Sequence, residues 1–187
     1  DRIGSINLAD SLTNTPYRYR SNISDSRNGG LESFVEADLL QLIHGSKSKS
    51  QLSLFSNFSV IDAKYTGSDE TAFEGKKVEL VPNIIFKTGL NFKRKPFCLS
   101  YQFSYVSEQF TDATNSTFTP NAVNGIIPAY YIMDLSTEYS YKNFTLSTGI
   151  NNLLDNMYFT RRADGYPGPG IIPSDGRSFY ATLQVKL

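Results

Sequence analysis

Three arginines late in the chain, Arg161, Arg162 and Arg177, are the side chains whose chemistry stands out first. A guanidinium presents paired N–H donors in a rigid fork, so such groups could attract an anion through parallel hydrogen bonds. Asp164 and Asp175 lie a few positions away, and solvated ion pairs among loop side chains are the competing outcome. The remaining reactive residues are sparse. His44 is the single histidine and falls in a short basic turn, where a Ser-His-Asp arrangement would have to be built at the wrong end of a strand. Cys98 is the single cysteine, which excludes an internal disulfide and leaves no Cys/His spacing for zinc. No glycine-rich phosphate loop follows a strand and opens a helix. The chain therefore reads as a non-enzyme with no resident cofactor and no metal site.

Composition narrows the partners. The 187 residues carry 18 basic and 18 acidic side chains, so nothing suggests the basic stripe that nucleic acid requires. Aromatic residues are plentiful but are all Phe and Tyr, 13 and 12 of them, with no Trp. No stretch approaches the roughly 18 consecutive apolar residues of a membrane helix, so any crossing of a bilayer must be made by strands. The chain opens on Asp1 in a segment that already looks extended, and it is expected to be part of something longer.

The elements that would position the arginines are strands. Phe144, Leu146, Thr148 and Ile150 alternate with Thr145, Ser147 and Gly149, and Phe179, Ala181, Leu183, Val185 and Leu187 alternate with Tyr180, Thr182, Gln184 and Lys186. This period of two puts apolar groups on one face of a strand. The same pattern predicts a short weak strand at 2–8, a long one from about Arg20 to Leu42 with a bulge or bend at Asn28, Gly29 and Gly30, and further strands at 51–63, 82–93, 97–105 and 131–141. Glu32, Glu36 and Asp38 share one face of the long strand, and three acids on a face require water.

About eight antiparallel strands result, joined alternately by long and short connections. The long ones lie near 9–20, 64–81, 111–129 and 155–176, the short ones near 44–50, 94–96 and 142–143. All long loops then share one end, as in an up-and-down outer-membrane barrel with short periplasmic turns. Strand length fits the roughly 9 to 11 residues that cross a bilayer at a tilt. Phe97, Tyr105, Tyr131, Tyr141 and Phe179 fall where aromatic girdles belong. A soluble sandwich also alternates, and about eight strands can close into a small adhesion or structural barrel; both remain open at this level.

The string Asn151, Asn152, Leu153, Leu154, Asp155, Asn156, Met157, Tyr158 resembles the NNLxDxxY signature near the C-terminus of TonB-dependent outer-membrane transporters. Asn22 to Glu32 is similar to an upstream strand motif of that family, Ile127 to Tyr130 with Asp134 and Leu135 to its penultimate hairpin, and Tyr166 to Pro173 with Gly176, Arg177, Ser178, Phe179 and Tyr180 to its last loop and strand. The resemblance implies an all-β chain forming about eight strands of a 22-stranded transmembrane barrel. Implied partners are outer-membrane lipid, the barrel's own N-terminal strands, a plug domain and, through a segment outside this chain, TonB. It also implies import of a scarce nutrient, with the Tyr166 to Pro173 loop most like the branch that takes ferric citrate or siderophores. Arg161, Arg162, Tyr166 and Arg177 are then the expected ligand contacts. Asn151, Asn152, Leu153, Asp155, Tyr158, Gly176 and Phe179 are expected to be structural, with Asn151 and Asn152 ending a strand and Asp155 accepting bonds from loop amides.

Overall fold

The computed structural model describes residues 2–9, 11–45, 48–67, 73–120, 122–163, 165 and 169–187, with the backbone alone at 2–9 and 16–23. Strands dominate it: β1 Arg2–Ala9, β2 Pro16–Asp38, β3 Gln51–Thr66, β4 Ile84–Arg94, β5 Phe97–Val106, β6 Gln109–Phe110, β7 Ile126–Ile127, β8 Tyr130–Tyr141, β9 Phe144–Asn151, β10 Phe159–Ala163, β11 Gly170–Pro173 and β12 Ser178–Val185. One short helix, α1, spans Leu39–His44. Eight strands form a single antiparallel meander in the order β1-β2-β3-β4-β5-β8-β9-β12, and β6/β7 and β10/β11 are small ribbons. No described helix is long and apolar enough to cross a membrane.

The register sorts the side chains into two faces. On one, Leu54, Leu90, Tyr101, Leu135, Ile150 and Phe179 line up across six strands, and Phe97, Tyr139, Leu146 and Leu183 form a parallel row nearer the short turns. Phe58, Phe86, Phe103 and Tyr131 make a chain of ring contacts with centroids 6.0 to 6.2 Å apart toward the other end. Three threonine hydroxyls on this face are satisfied internally. Thr137 and Thr148 share a hydrogen bond of 3.0 Å, and Thr88 Oγ1 donates to the Phe55 carbonyl at 2.7 Å, as a surface facing hydrocarbon requires.

The opposite face carries Glu36, Gln102, Asp134 and Asn151 in one row and Asp38, Ser53, Asn91, Ser100 and Ser136 in the next. Among the aromatics that interrupt it, Phe55 and Tyr180 each lie over a glycine. A Cβ on Gly89 would sit 2.5 Å from Phe55 Cε1, and one on Gly149 would sit 2.4 Å from Tyr180 Cε1. Glycine is required at both points because the neighbouring ring occupies the space of a side chain.

Among the described residues no second layer covers the apolar face. Phe179 and Leu183 are 70% and 63% exposed, and the one buried cluster, Ala63, Tyr65, Phe73, Val78 and Ala113, sits at the long-loop end. This overturns the sandwich alternative, in which Leu183, Leu135 and Phe103 would pack against another sheet. The closed eight-strand barrel fails as well, since β1 and β12 are the two edges of the sheet and make no contact with each other.

Three boundaries differ from the sequence reading. The expected loop at 9–20 is a tight hairpin, in which Ala9 pairs with Pro16 and β2 is already extended at Tyr17 to Tyr19. The expected bulge at Asn28 to Gly30 is absent: pairing runs unbroken from Asp25 with Thr66 to Asp38 with Ser53. Gly30 has a different purpose, because a Cβ there would lie 2.6 Å from the Val60 carbonyl oxygen. Finally, the strand stops at Asp38 instead of Leu42. Asp38 Oδ1 accepts from the Leu40 and Gln41 amides at 3.1 Å each, an N-cap that turns the apolar run Leu39 to Ile43 into helix.

Candidate functional site

The long-loop end is where the polar network is densest. β3 runs past the sheet, and the following loop folds back on it through Val78 N to Ala63 O and Ile61 N to Asn83 O, at 3.0 and 2.9 Å. Tyr65 and Phe73 are buried between them, and the Tyr65 hydroxyl bonds the Glu79 carboxylate. Asn115 joins this loop to the next by pairing like a strand residue. Its Oδ1 accepts from Lys77 N and its Nδ2 donates to Lys77 O, both at 2.7 Å. Nothing in the alternation pattern singles out Asn115 or the Tyr65 cluster, because both act beyond the band where period-two patterning operates.

The signature residues form a second knot, between β8, β9 and β12. Asn152 is 3% exposed and holds a left-handed φ of 51°, a conformation that Asn tolerates better than most residues. Its amide N donates to Asp134 Oδ1 at 2.9 Å, its Nδ2 to Asn156 O at 3.0 Å, and its Oδ1 accepts from Asn156 N at 3.0 Å. Asn151 closes β9 and donates to Ser178 Oγ at 3.1 Å. Leu153 N reaches Met133 O at 2.7 Å. Asp155 Oδ1 accepts from the Arg177 amide at 2.8 Å, and a Cβ on Gly176 would lie 3.0 Å from the same oxygen. Tyr158 stacks on Tyr130 with ring centroids 4.9 Å apart. Phe179 lies on the apolar face of β12, beside Ile150. The arrangement fixes the last long loop on three strands at once.

The expected ligand contacts are dispersed. Arg161 and Arg162 follow each other on β10 and so point to opposite sides of its ribbon. Arg162 donates from Nη1 to Ala122 O at 2.7 Å and from Nη2 to Ile126 O at 2.9 Å, and it lies 5.2 Å from the centroid of the Phe159 ring. It bridges the last two long loops. Arg161 and Arg177 are exposed. Tyr166 lies outside the described residues, as does Asp164. A cleft of about 260 Å³ opens between Asp134, Asn152, Tyr158 and Asp175. Among the described residues no group of three His, Cys, Asp or Glu could hold a metal ion.

Residues 1–153 match the profile of the family described as TonB dependent receptor-like, beta-barrel. The chain belongs to this TonB-dependent receptor family. Members of this family are outer-membrane transporters of Gram-negative bacteria and not enzymes, and this chain forms part of such a barrel wall. Solved structures agree on the fold. The ferric citrate transporter FecA in its unliganded form superposes with a TM-score of 0.75 at 20% identity, covering 97% of this chain and 27% of that one. The ferric yersiniabactin uptake receptor FyuA from Yersinia pestis gives 0.69 at 17% identity, covering 89% and 24%. The copper transporter OprC gives 0.70 at 16% identity, covering 99% and 26%. This TonB-dependent receptor chain thus spans about a quarter of the length of those structures. Comparison with curated proteins gave no match.

Proposed function

We propose that this stretch of barrel wall belongs to a receptor that imports a scarce nutrient, most favourably an iron chelate such as ferric citrate or a siderophore. The observation that carries the reading is the two-faced open meander. Its apolar side suits lipid, its polar side suits a lumen, and its long loops are bound together at one end. Such an end can present a shaped surface to a ligand arriving from outside the cell. FecA and FyuA are a ferric citrate transporter and a ferric yersiniabactin receptor, which supports iron over other cargo; OprC, a copper transporter, defines the competing one. The wider assembly is proposed to include further N-terminal strands, a lumen plug and TonB as the energy-transducing partner. Arg161 and Arg177 are the exposed cations proposed to meet an anionic chelate, and Tyr166 is proposed as a further contact.

Uptake of radiolabelled iron decides between the cargoes. A strain lacking the gene is expected to lose growth on ferric citrate or a siderophore under iron limitation, and to recover it with the intact gene. Growth at the wild-type rate on every iron chelate tried, together with a loss of copper uptake, would sink the iron reading.

A further inference from the structure

Charges on the polar face are sorted by strand. β4 carries Lys87 and Lys93 there, and the residues paired with them are neutral: Asn57 and Ser104 beside Lys87, Gln51 and Cys98 beside Lys93. The acids of this face stand on other strands, Glu32, Glu36 and Asp38 on β2 and Asp134 and Glu138 on β8. Both strands are two positions from β4 in the sheet, or about 9–10 Å at the usual strand spacing. At the short-turn end β4 runs into a cleft of about 830 Å³, whose lining includes Lys49, Lys93, Arg94 and Lys95 with Gln51 and, as the only acid, Asp38. Oδ1 of Asp38 is already taken by the amides of Leu40, Gln41 and Leu52. Among the described residues none of the four cations pairs with a carboxylate.

We infer that this cleft is a binding site for a small polycarboxylate anion, the class to which citrate belongs, and that it is a station for anionic cargo at the short-turn mouth of the lumen. A cleft lined by one sign of charge focuses its field and concentrates counter-ions, and crowded cations without partners are relieved by a multiply charged anion. The volume lies within the roughly 300–1,000 Å³ of small-molecule sites. Arg94 offers paired donors that fit a carboxylate, and the lysines supply point charges around it. Lys87, about 20 Å along β4 from Lys93, continues the cationic strip toward the long loops, so the strip lies along the direction in which cargo would travel. The transport role rests on the reading of the cargo as an anionic chelate, whereas the anion site itself does not depend on iron.

The test uses the complete receptor carrying this chain, with Cys98→Ser to remove the thiol of this stretch and Ser48→Cys to place a reporter in the cleft lining. A thiosulfonate reagent bearing a sulfonate is expected to modify the reporter at least about tenfold faster than one bearing a trimethylammonium group. Iron-free citrate is expected to slow the anionic reagent at constant ionic strength, and a neutral sugar is not. The triple variant Lys49→Gln, Arg94→Gln, Lys95→Gln is expected to bring the two rates within about twofold and to abolish citrate protection, with heat-resistant barrel mobility unchanged. On cells, that variant is expected to bind the chelate that supports growth with unchanged affinity while its uptake falls at least about fivefold. Equal rates for the two reagents before the triple substitution overturn the site, as does a lack of protection by citrate. A thiol closed to both reagents before citrate is added overturns it too, by placing a protein segment in the cleft. Unchanged uptake by the triple variant overturns the cargo role. A receptor that imports no iron chelate while citrate still protects the thiol refutes the iron reading and upholds the anion site.

Discussion

At the scale of single residues, Arg162 and Asn152 show how much of this molecule depends on side chains that replace backbone pairing. Arg162 holds two carbonyls of a neighbouring loop with one guanidinium, and its Nε is buried without a hydrogen-bond partner. The residue is therefore bound by geometry that a lysine ammonium cannot reproduce. Arg162→Lys is expected to release the loop around Ala122 to Ile126, at a cost of about 1.5–3 kcal/mol for bonds to a charged group. Hydrogen exchange at the amides of 122–127 is expected to speed up at least about tenfold, since each 1.4 kcal/mol is a factor of ten. Arg161→Gln, one position away and exposed, is expected to leave that exchange unchanged. Equal effects of the two substitutions would remove the bridging role. The type and position of Arg162 were legible in the sequence, but its commitment to Ala122 and Ile126, 40 and 36 residues earlier, was not. Local spacing carries no information about which loops meet.

At the scale of elements, the strands in the lipid band were readable because hydrocarbon on one side and water on the other impose strict alternation. Beyond the band that constraint lapses. The part of β2 around Tyr17 to Tyr19 lies past the stretch where β2 pairs with β3, and its sequence reads as loop. The run Leu39 to Ile43 fits either period over so few residues, and only the cap from Asp38 decides it. Phe55 and Tyr180, on the polar face, give a sharper test of how strands are fitted together. Gly89→Ala is expected to cost about 1–3 kcal/mol by overpacking, because its Cβ would meet both the Phe55 ring and, at 2.6 Å, the Tyr101 carbonyl oxygen. Gly149→Ala meets only the far end of Tyr180 in its three nearest contacts and is expected to cost less. In a double-mutant cycle read by denaturant unfolding, Tyr180→Ala is expected to rescue Gly149→Ala fully. Phe55→Ala is expected to rescue Gly89→Ala only in part, since the backbone oxygen remains. Full rescue of both pairs would show that the Tyr101 carbonyl does not matter.

At the scale of the whole molecule, the sheet is an open wall whose two faces differ in solvent. Consecutive residues in mid-strand therefore have opposite tolerances. Leu135→Lys puts a charge among Tyr101 and Ile150 on the apolar face, and is expected to cost about 2–4 kcal/mol near the bilayer centre. Ser136→Lys, between Ser100 and Gly149 on the polar face, is expected to be nearly neutral. The yield of heat-resistant folded receptor in outer-membrane preparations measures the difference, and equal yields would contradict the assignment of faces. The apolar rows and the alternation of loop lengths made this architecture legible before any coordinates. Openness was legible only through the family resemblance, which implies about eight strands of a larger barrel; alternation by itself leaves closure possible, because eight strands of this length are also enough to close. One consequence follows from β2, which pairs with β1 through eight of the residues from Pro16 to Ser24, the register skipping Ile23, and with β3 only from Asp25 onward. At about 3.3 Å per residue the β1–β2 hairpin stands some 30 Å clear of its next neighbour, so on an intact cell a peptide tag inserted after Leu12 would be within reach of an antibody without disturbing the wall beneath it.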